Sequence, residues 1–270
     1  MGFGKKKTTG GTQVTQENVA MLASAALAKK HNTTIRLGVD VEFVDPVLMN
    51  RWTKKAMVQM LHKMVTGGAL PREHKDLSAD YEDSWYRNSA RAVVIPCRLI
   101  KACIIEGAIG TGGSVSKAEL KRGLRVEGHT APITMNGKLD MDVRITGGNT
   151  IDVRARALVP AGSTMSFVLG FGPDLSPDKV IAATQAAGAQ IGLCDWRQEK
   201  GGEFGGFKVV DCFGDAKRIA TVLKACALRE EEIALPPELL RAFNSIPDEK
   251  LSDPARKVKA VLHQNGAHAS

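Results

Sequence analysis

Aromatic side chains are scarce: three Trp, two Tyr and eight Phe in 270 residues. A chain so poor in rings cannot hold a polymer by extensive stacking, so any polyanion it binds is gripped chiefly through its phosphates, with weak sequence preference. No run approaches the roughly eighteen apolar residues of a membrane helix, which excludes a helical span. The opening MGFGKKKTTGGT has no apolar segment after its lysines, which argues against a secretory signal, and Lys at position 6 argues against myristoylation. The cysteines are odd in number (Cys97, Cys103, Cys194, Cys212, Cys226), with no CxxC and no Cys/His pair at zinc-ligand spacing. Free thiols in a reducing, cytoplasmic compartment are therefore expected, with no metal and no cofactor. The glycine-rich GGEFGG lacks the Lys-Ser/Thr of a P-loop and opens no helix, so it is not a nucleotide signature.

What the chain does have is enough apolar residue (43%) for a substantial core, and 37 Lys+Arg against 29 Asp+Glu, a net charge of +8. That balance favours polyanionic partners, although a merely basic soluble protein has it too. Residues 1–15 read as a disordered basic tail and 16–30 (QENVAMLASAALAKK) as a helix. Residues 34–44 (TIRLGVDVEFV) alternate apolar and polar, the pattern of a half-buried strand. After Asp45-Pro46, residues 47–65 read as one amphipathic helix whose methionines form a packed or oligomer-contacting face. Residues 66–89 are polar and read as a long inserted loop. A strand at 90–96 precedes a helix at 97–107 that exposes Arg98 and Lys101. A strand meander follows, at 124–127, 131–135, 139–145, 150–157 and 163–171, with Arg144, Arg154 and Arg156 on its faces.

The stretch 187–210 (AGAQIGLCDWRQEKGGEFGGFKVV) is the focus. Ser176 caps a helix that runs to 187, and Gly188 is placed as its left-handed terminator. A polar loop and a last core strand come next. Glycines at 201, 202, 205 and 206 are expected to leave main-chain N–H groups uncovered beside Arg197, Lys200 and Lys208, so that a flat or anionic ligand approaches the backbone. The other reading is a flexible loop that binds nothing. Helices are expected at 216–228, 238–243 and 254–263.

This order predicts an α+β fold: an antiparallel sheet with helices packed on one face. The segments TIRLGVDVEFVDPVLMNRW, AVVIPCRLIKACIIEG after a long insertion, and the glycine stretch ending in Gly201–Phe207 together resemble the RAMP superfamily, which includes RNA-binding backbone subunits of CRISPR effector complexes and RAMP-like proteins of bacteriophages. Ile95-Pro96 through Ile100-Lys101 matches that family's helix start. The resemblance implies an RRM-like (ferredoxin-like) core at 16–215 and a prokaryotic or phage-infected host cell; the C-terminal helical extension read at 216–270 has no counterpart in the family pattern. The chain also departs from that pattern at Glu203, inside the glycine loop.

Taken together, residues and resemblance predict a non-catalytic binder of single-stranded nucleic acid, RNA or DNA, that forms homo-oligomers along the strand. The expected contacts are Arg98, Lys101, Arg144, Arg154, Arg156, Arg197, Lys200, Gly201, Gly202, Phe204 and Gly205. Two alternatives stay open. One is a ribonuclease using His62 or His129, or Asp76, Asp80 and Asp83 with a metal ion; the other is a structural protein of a virus that contacts packaged genome.

Overall fold

The computed structural model describes residues 34–68, 70, 75–146, 152–233, 235–251, 255–256 and 259–260. The expected basic tail and the helix at 16–30 lie outside them, as does most of the last helix.

Strand β1 (Ile35–Phe43) runs through the centre of the main sheet. Its odd positions Ile35, Leu37, Val39, Val41 and Phe43 are all buried in one core, as period-two alternation dictates. The chain next forms β2 (Val47–Leu48), helix α1 (Lys54–Thr66), helix α2 (Leu77–Ser84), β3 (Val94–Pro96) and helix α3 (Cys97–Gly107). Helix α4 (Lys117–Gly123) leads into β4 (Leu124–Glu127) and β5 (Thr130–Thr134), a hairpin β6 (Asp140–Thr146) with β7 (Asp152–Val159), then β8 (Thr164–Phe171). Helix α5 (Pro177–Ala186), β9 (Phe207–Phe213), α6 (Ala216–Cys226) and α7 (Pro237–Asn244) complete the order.

β4 and β5 pair with successive parts of β8, β8 pairs with β1, and β1 pairs with β9, all antiparallel. Reduced to β1, α3, β4–β5, β8, α5 and β9, this is the βαββαβ order of a ferredoxin-like fold. Helices α3 and α5 share one face, where Ile100, Ile104, Val180 and Ala183 meet Leu37, Phe167 and Leu169. Burying each of the larger side chains among them contributes about 1.5–3 kcal/mol.

The opposite face is covered as well. Helix α6, capped by the Asp215 carboxylate, lays Ile219, Val222 and Leu223 over Val168 and Phe213. The Phe213 ring occupies the space that a Cβ at Gly38 would need. So the C-terminal extension adds a layer to the expected one-sided packing.

Two inserted parts depart from their predicted form. Residues 47–65 are not one helix: Val47 and Leu48 pair with Val159 and Leu158 of β7, and the helix begins only after Thr53, whose hydroxyl caps the Ala56 amide. Its methionine face is internal, with Met57, Met60 and Met64 packed beside Leu61 against Phe243 of α7 and against Leu235 and Leu251. The polar insertion carries α2, started by the Asp76 carboxylate on the Ser78 and Ala79 amides and anchored to β7 by the Ser84 hydroxyl on the Ala157 N–H.

Candidate nucleic-acid interface

The three-stranded sheet β2-β7-β6 stands beside the main sheet, and the segment after α5 is stitched to it. α5 does not stop at Gly188. The chain continues into a wide π-type turn, Ala187–Ile191, and Gly192 (φ 77°) is the residue that breaks it. Gly188 is required for a different reason: a Cβ there would overlap the Phe207 carbonyl of β9.

The glycine loop is likewise committed internally, which corrects the expectation of free N–H groups at three of its four glycines. Gly201 donates to Gln198 O, Gly202 to Arg197 O, and Gly205 to Pro46 O, at 2.9–3.1 Å. A Cβ at Gly202 would overlap the Trp196 carbonyl, and one at Gly205 the Leu193 carbonyl. These glycines let strands of backbone touch each other. Further bonds, Leu193 N–H to Gly205 O and Asp195 N–H to Leu48 O, fix the loop against β2.

On this frame the predicted arginines converge. Arg144 of β6 and Arg154 of β7 are directly opposite in the antiparallel register, as are Asp142 and Arg156, so all four side chains leave the same face of the hairpin. That face meets the glycine loop. The Arg144 guanidinium lies 4.5 Å from the Trp196 ring centre and 4.6 Å from that of Phe204, between the two, with Nε donating to Asp142 at 2.6 Å. Arg156 pairs with Asp195. Arg197 and Lys200 both bind Glu199, at 2.8 Å and 3.2 Å. The hydrogen bond from Arg197 holds the Glu199 carboxyl below the usual carboxylate range. Phe204 is buried as a platform under Arg144, whereas Trp196 is 48% exposed. Cys194 and Trp196 both take left-handed φ values, 66° and 48°. Such a conformation costs a residue with a Cβ on the order of 1 kcal/mol, and strain of this kind concentrates at working sites.

Arg98 and Lys101 are not part of this cluster. Arg98 binds Glu230 at 2.9 Å, and Glu230 also accepts from Arg51; Arg87 binds Glu231 at 2.8 Å beneath Trp85. These ion pairs fasten the segment after α6 to the insertion. Lys101 lies half-buried on α3.

Residues named for the catalytic alternative have local partners. Asp76 caps α2, Asp80 pairs with Lys75 at 3.6 Å, and Asp83 accepts the Lys54 N–H at 3.1 Å. His62 contacts Thr66 and Gly68 at the end of α1, and His129 lies on the β4–β5 turn. Sequence reasoning missed Trp196, although an aromatic between Asp195 and Arg197 in a polar loop was a visible signal. It also missed a cleft of about 790 Å³ behind the loop, between α3, α4 and residues 192–199.

Fold and surface together define an α+β ferredoxin-like protein with a basic, aromatic surface built on its insertions. No protein-family model matches the chain, and no curated protein does. Among solved structures, it is similar to a chain of the type III-B Cmr-beta complex bound to cognate target RNA: 13% identity over 73% of this chain and 67% of that one, TM-score 0.38. It is also similar to Cmr6 from Pyrococcus furiosus: 8% identity over 66% of this chain and 99% of that one, TM-score 0.35. No helix among the described residues is long and apolar enough to cross a membrane.

Proposed function

We propose that the protein binds single-stranded nucleic acid without cleaving it, along the face formed by the β6–β7 hairpin and the glycine loop. The observation that carries this reading is Arg144 between Trp196 and Phe204, with Arg154 in register beside it. Both rings contact the guanidinium, and Asp142 takes only its Nε, so its outer N–H groups form a fork suited to a phosphate. The exposed ring of Trp196 offers a base a stacking surface worth about 1–3 kcal/mol. Arg154, Arg156, Arg197 and Lys200 supply further positive charge, offset by Asp142, Asp195, Glu199 and Glu203. Electrostatic attraction here is accordingly moderate. A non-catalytic role fits the helix-capping and ion-pairing duties of Asp76, Asp80 and Asp83. It fits equally the Cys103 and Cys194 thiols, which burial pushes up to about 12 and so keeps protonated.

Oligomerisation belongs to the same proposal. β6 is an edge strand of its sheet and exposes Met141, Val143 and Ile145, the last to 72%; an open apolar edge is suited to strand pairing with a second copy. The deciding experiment is binding of labelled single-stranded RNA and DNA from about 50 to 200 mM salt. Affinity should fall across that range, and light scattering should show species larger than the monomer on the strand. Absence of binding, or affinity indifferent to salt, overturns the reading; a monomer on the strand removes the oligomer.

A further inference from the structure

We infer that the cleft between α3, α4 and residues 192–199 receives one unstacked base of the bound strand, an inference that rests on the binding reading above. The cleft is walled by Leu99, Ala102 and Ile105 of α3 and by Leu193 and Cys194. At about 790 Å³ it has room for a nucleoside with its water.

Most of its charges are spent in pairs; Lys121 of α4, exposed, also lines it. Glu106 binds Lys117, Asp195 binds Arg156, and Glu199 binds Arg197. Three lining carboxylates (Glu106, Asp195, Glu199) balance three lining cations (Lys117, Lys121, Arg197), so a phosphate finds no net positive charge there and competes with Glu106 and Glu199 for Lys117 and Arg197. A flat, uncharged group with apolar faces and a polar edge meets no such obstacle, and a base is that group.

Two polar groups on the lining meet the edge. The Asn50 carboxamide has no hydrogen-bond partner among the described residues, so its donor and acceptor are both available. The Tyr86 hydroxyl donates to the Asn50 carbonyl oxygen at 3.1 Å and keeps its lone pairs as acceptors; burial holds it protonated. A carboxamide pairs in two-point fashion with N6 and N7 of adenine, which makes adenine the best-matched base.

The path is short. Asp195 and Arg197 line the cleft, while Trp196 between them stacks on Arg144 of the hairpin face. The left-handed backbone at Cys194 and Trp196 accompanies this change of side. A strand held by Arg144 therefore passes the mouth of the cleft.

The test compares an oligoadenylate with the same strand carrying abasic sugars, by fluorescence anisotropy on the full chain. Wild type should favour the base-bearing strand about tenfold. Ala102 is an exposed helix position, so Ala102→Trp fills the cleft without disturbing the core. It should reduce the ratio to about twofold or less, and Asn50→Leu should lower it for adenine more than for uracil. Arg144→Glu should weaken both strands alike. Equal affinity of wild type for both strands, or a tenfold ratio that survives Ala102→Trp, overturns the base cleft while leaving strand binding intact. No binding of either strand by wild type overturns both.

Discussion

The two polar surfaces of this molecule, the outer face of the main sheet and the hairpin face, carry similar residues and are built to opposite ends. On the sheet, Arg36 pairs with Glu127 at 2.9 Å, Lys208 with Glu42 at 3.0 Å, and Arg218 with Asp211 at 2.7 Å and also with Asp40. The Arg218 guanidinium lies over Phe213, 3.8 Å from its ring centre, and α6 closes the remainder. RRM sheets stack bases on exposed aromatics of that face; here the aromatic is 1% exposed. On the hairpin face the arginine is clamped between rings but open outward. The contrast teaches that a ferredoxin-like core whose usual platform is roofed over can still offer a basic, aromatic surface, on the parts inserted into it.

The largest expected effect tests whether the glycine loop is scaffold or ligand cradle. Gly205→Ala puts a Cβ against the Leu193 carbonyl at φ 77° and should cost about 3–4 kcal/mol in urea unfolding. Gly201→Ala, also at positive φ but facing open space, should cost only about 1 kcal/mol. Comparable small losses at both positions would mean the loop is not held as described.

Next comes the roof. Phe213→Ala should cost about 3 kcal/mol yet leave the affinity of the folded protein for a single strand unchanged. Tighter binding by this variant would transfer the site to the sheet and dissolve the contrast. Smaller still is the direct comparison of arginines. Arg144→Glu should weaken binding about tenfold, roughly 1.4 kcal/mol, while Arg36→Glu should change it less than twofold.

How much of this was legible in the sequence follows from the range of each signal. The alternation of residues 35–43 and the Ser176 cap are local, and both elements are where periodicity and capping chemistry put them. Arg144, Arg154 and Arg156 were legible as candidates because the spacing of two strands fixes a common face once their register is known. Gly188 misled because the local rule for a helix terminator was satisfied there, whereas its real constraint is the Phe207 carbonyl of a strand far along the chain. Val47 and Leu48 misled for a similar reason: pairing with β7 overrides their place in a helical pattern. Arg98 has the chemistry of a phosphate contact, and only the distant Glu230 shows that it is engaged elsewhere. The cleft depends on α3, α4 and residues 192–199 coming together, which no single stretch encodes.

The smallest effect concerns Glu199 and gives the sharpest discrimination between the faces. Its carboxylate competes with an incoming phosphate for Arg197 and Lys200. Removing it by Glu199→Gln should therefore raise affinity about two- to threefold, the scale of an exposed ion pair. The matching change on the sheet, Glu42→Gln, frees Lys208 away from the proposed site and should leave affinity unaltered. The pH dependence has a definite sign. Because Glu199 titrates below the ordinary carboxylate value of about 4.3, its contribution to folding is present above that value and is lost as pH falls through its own lower one. Its protonation at low pH should release Arg197, so wild type should gain affinity relative to Glu199→Gln as pH drops, the two converging at the acid end. Parallel pH profiles would show that Arg197 is not a phosphate contact and would confine the site to Arg144, Arg154 and Trp196.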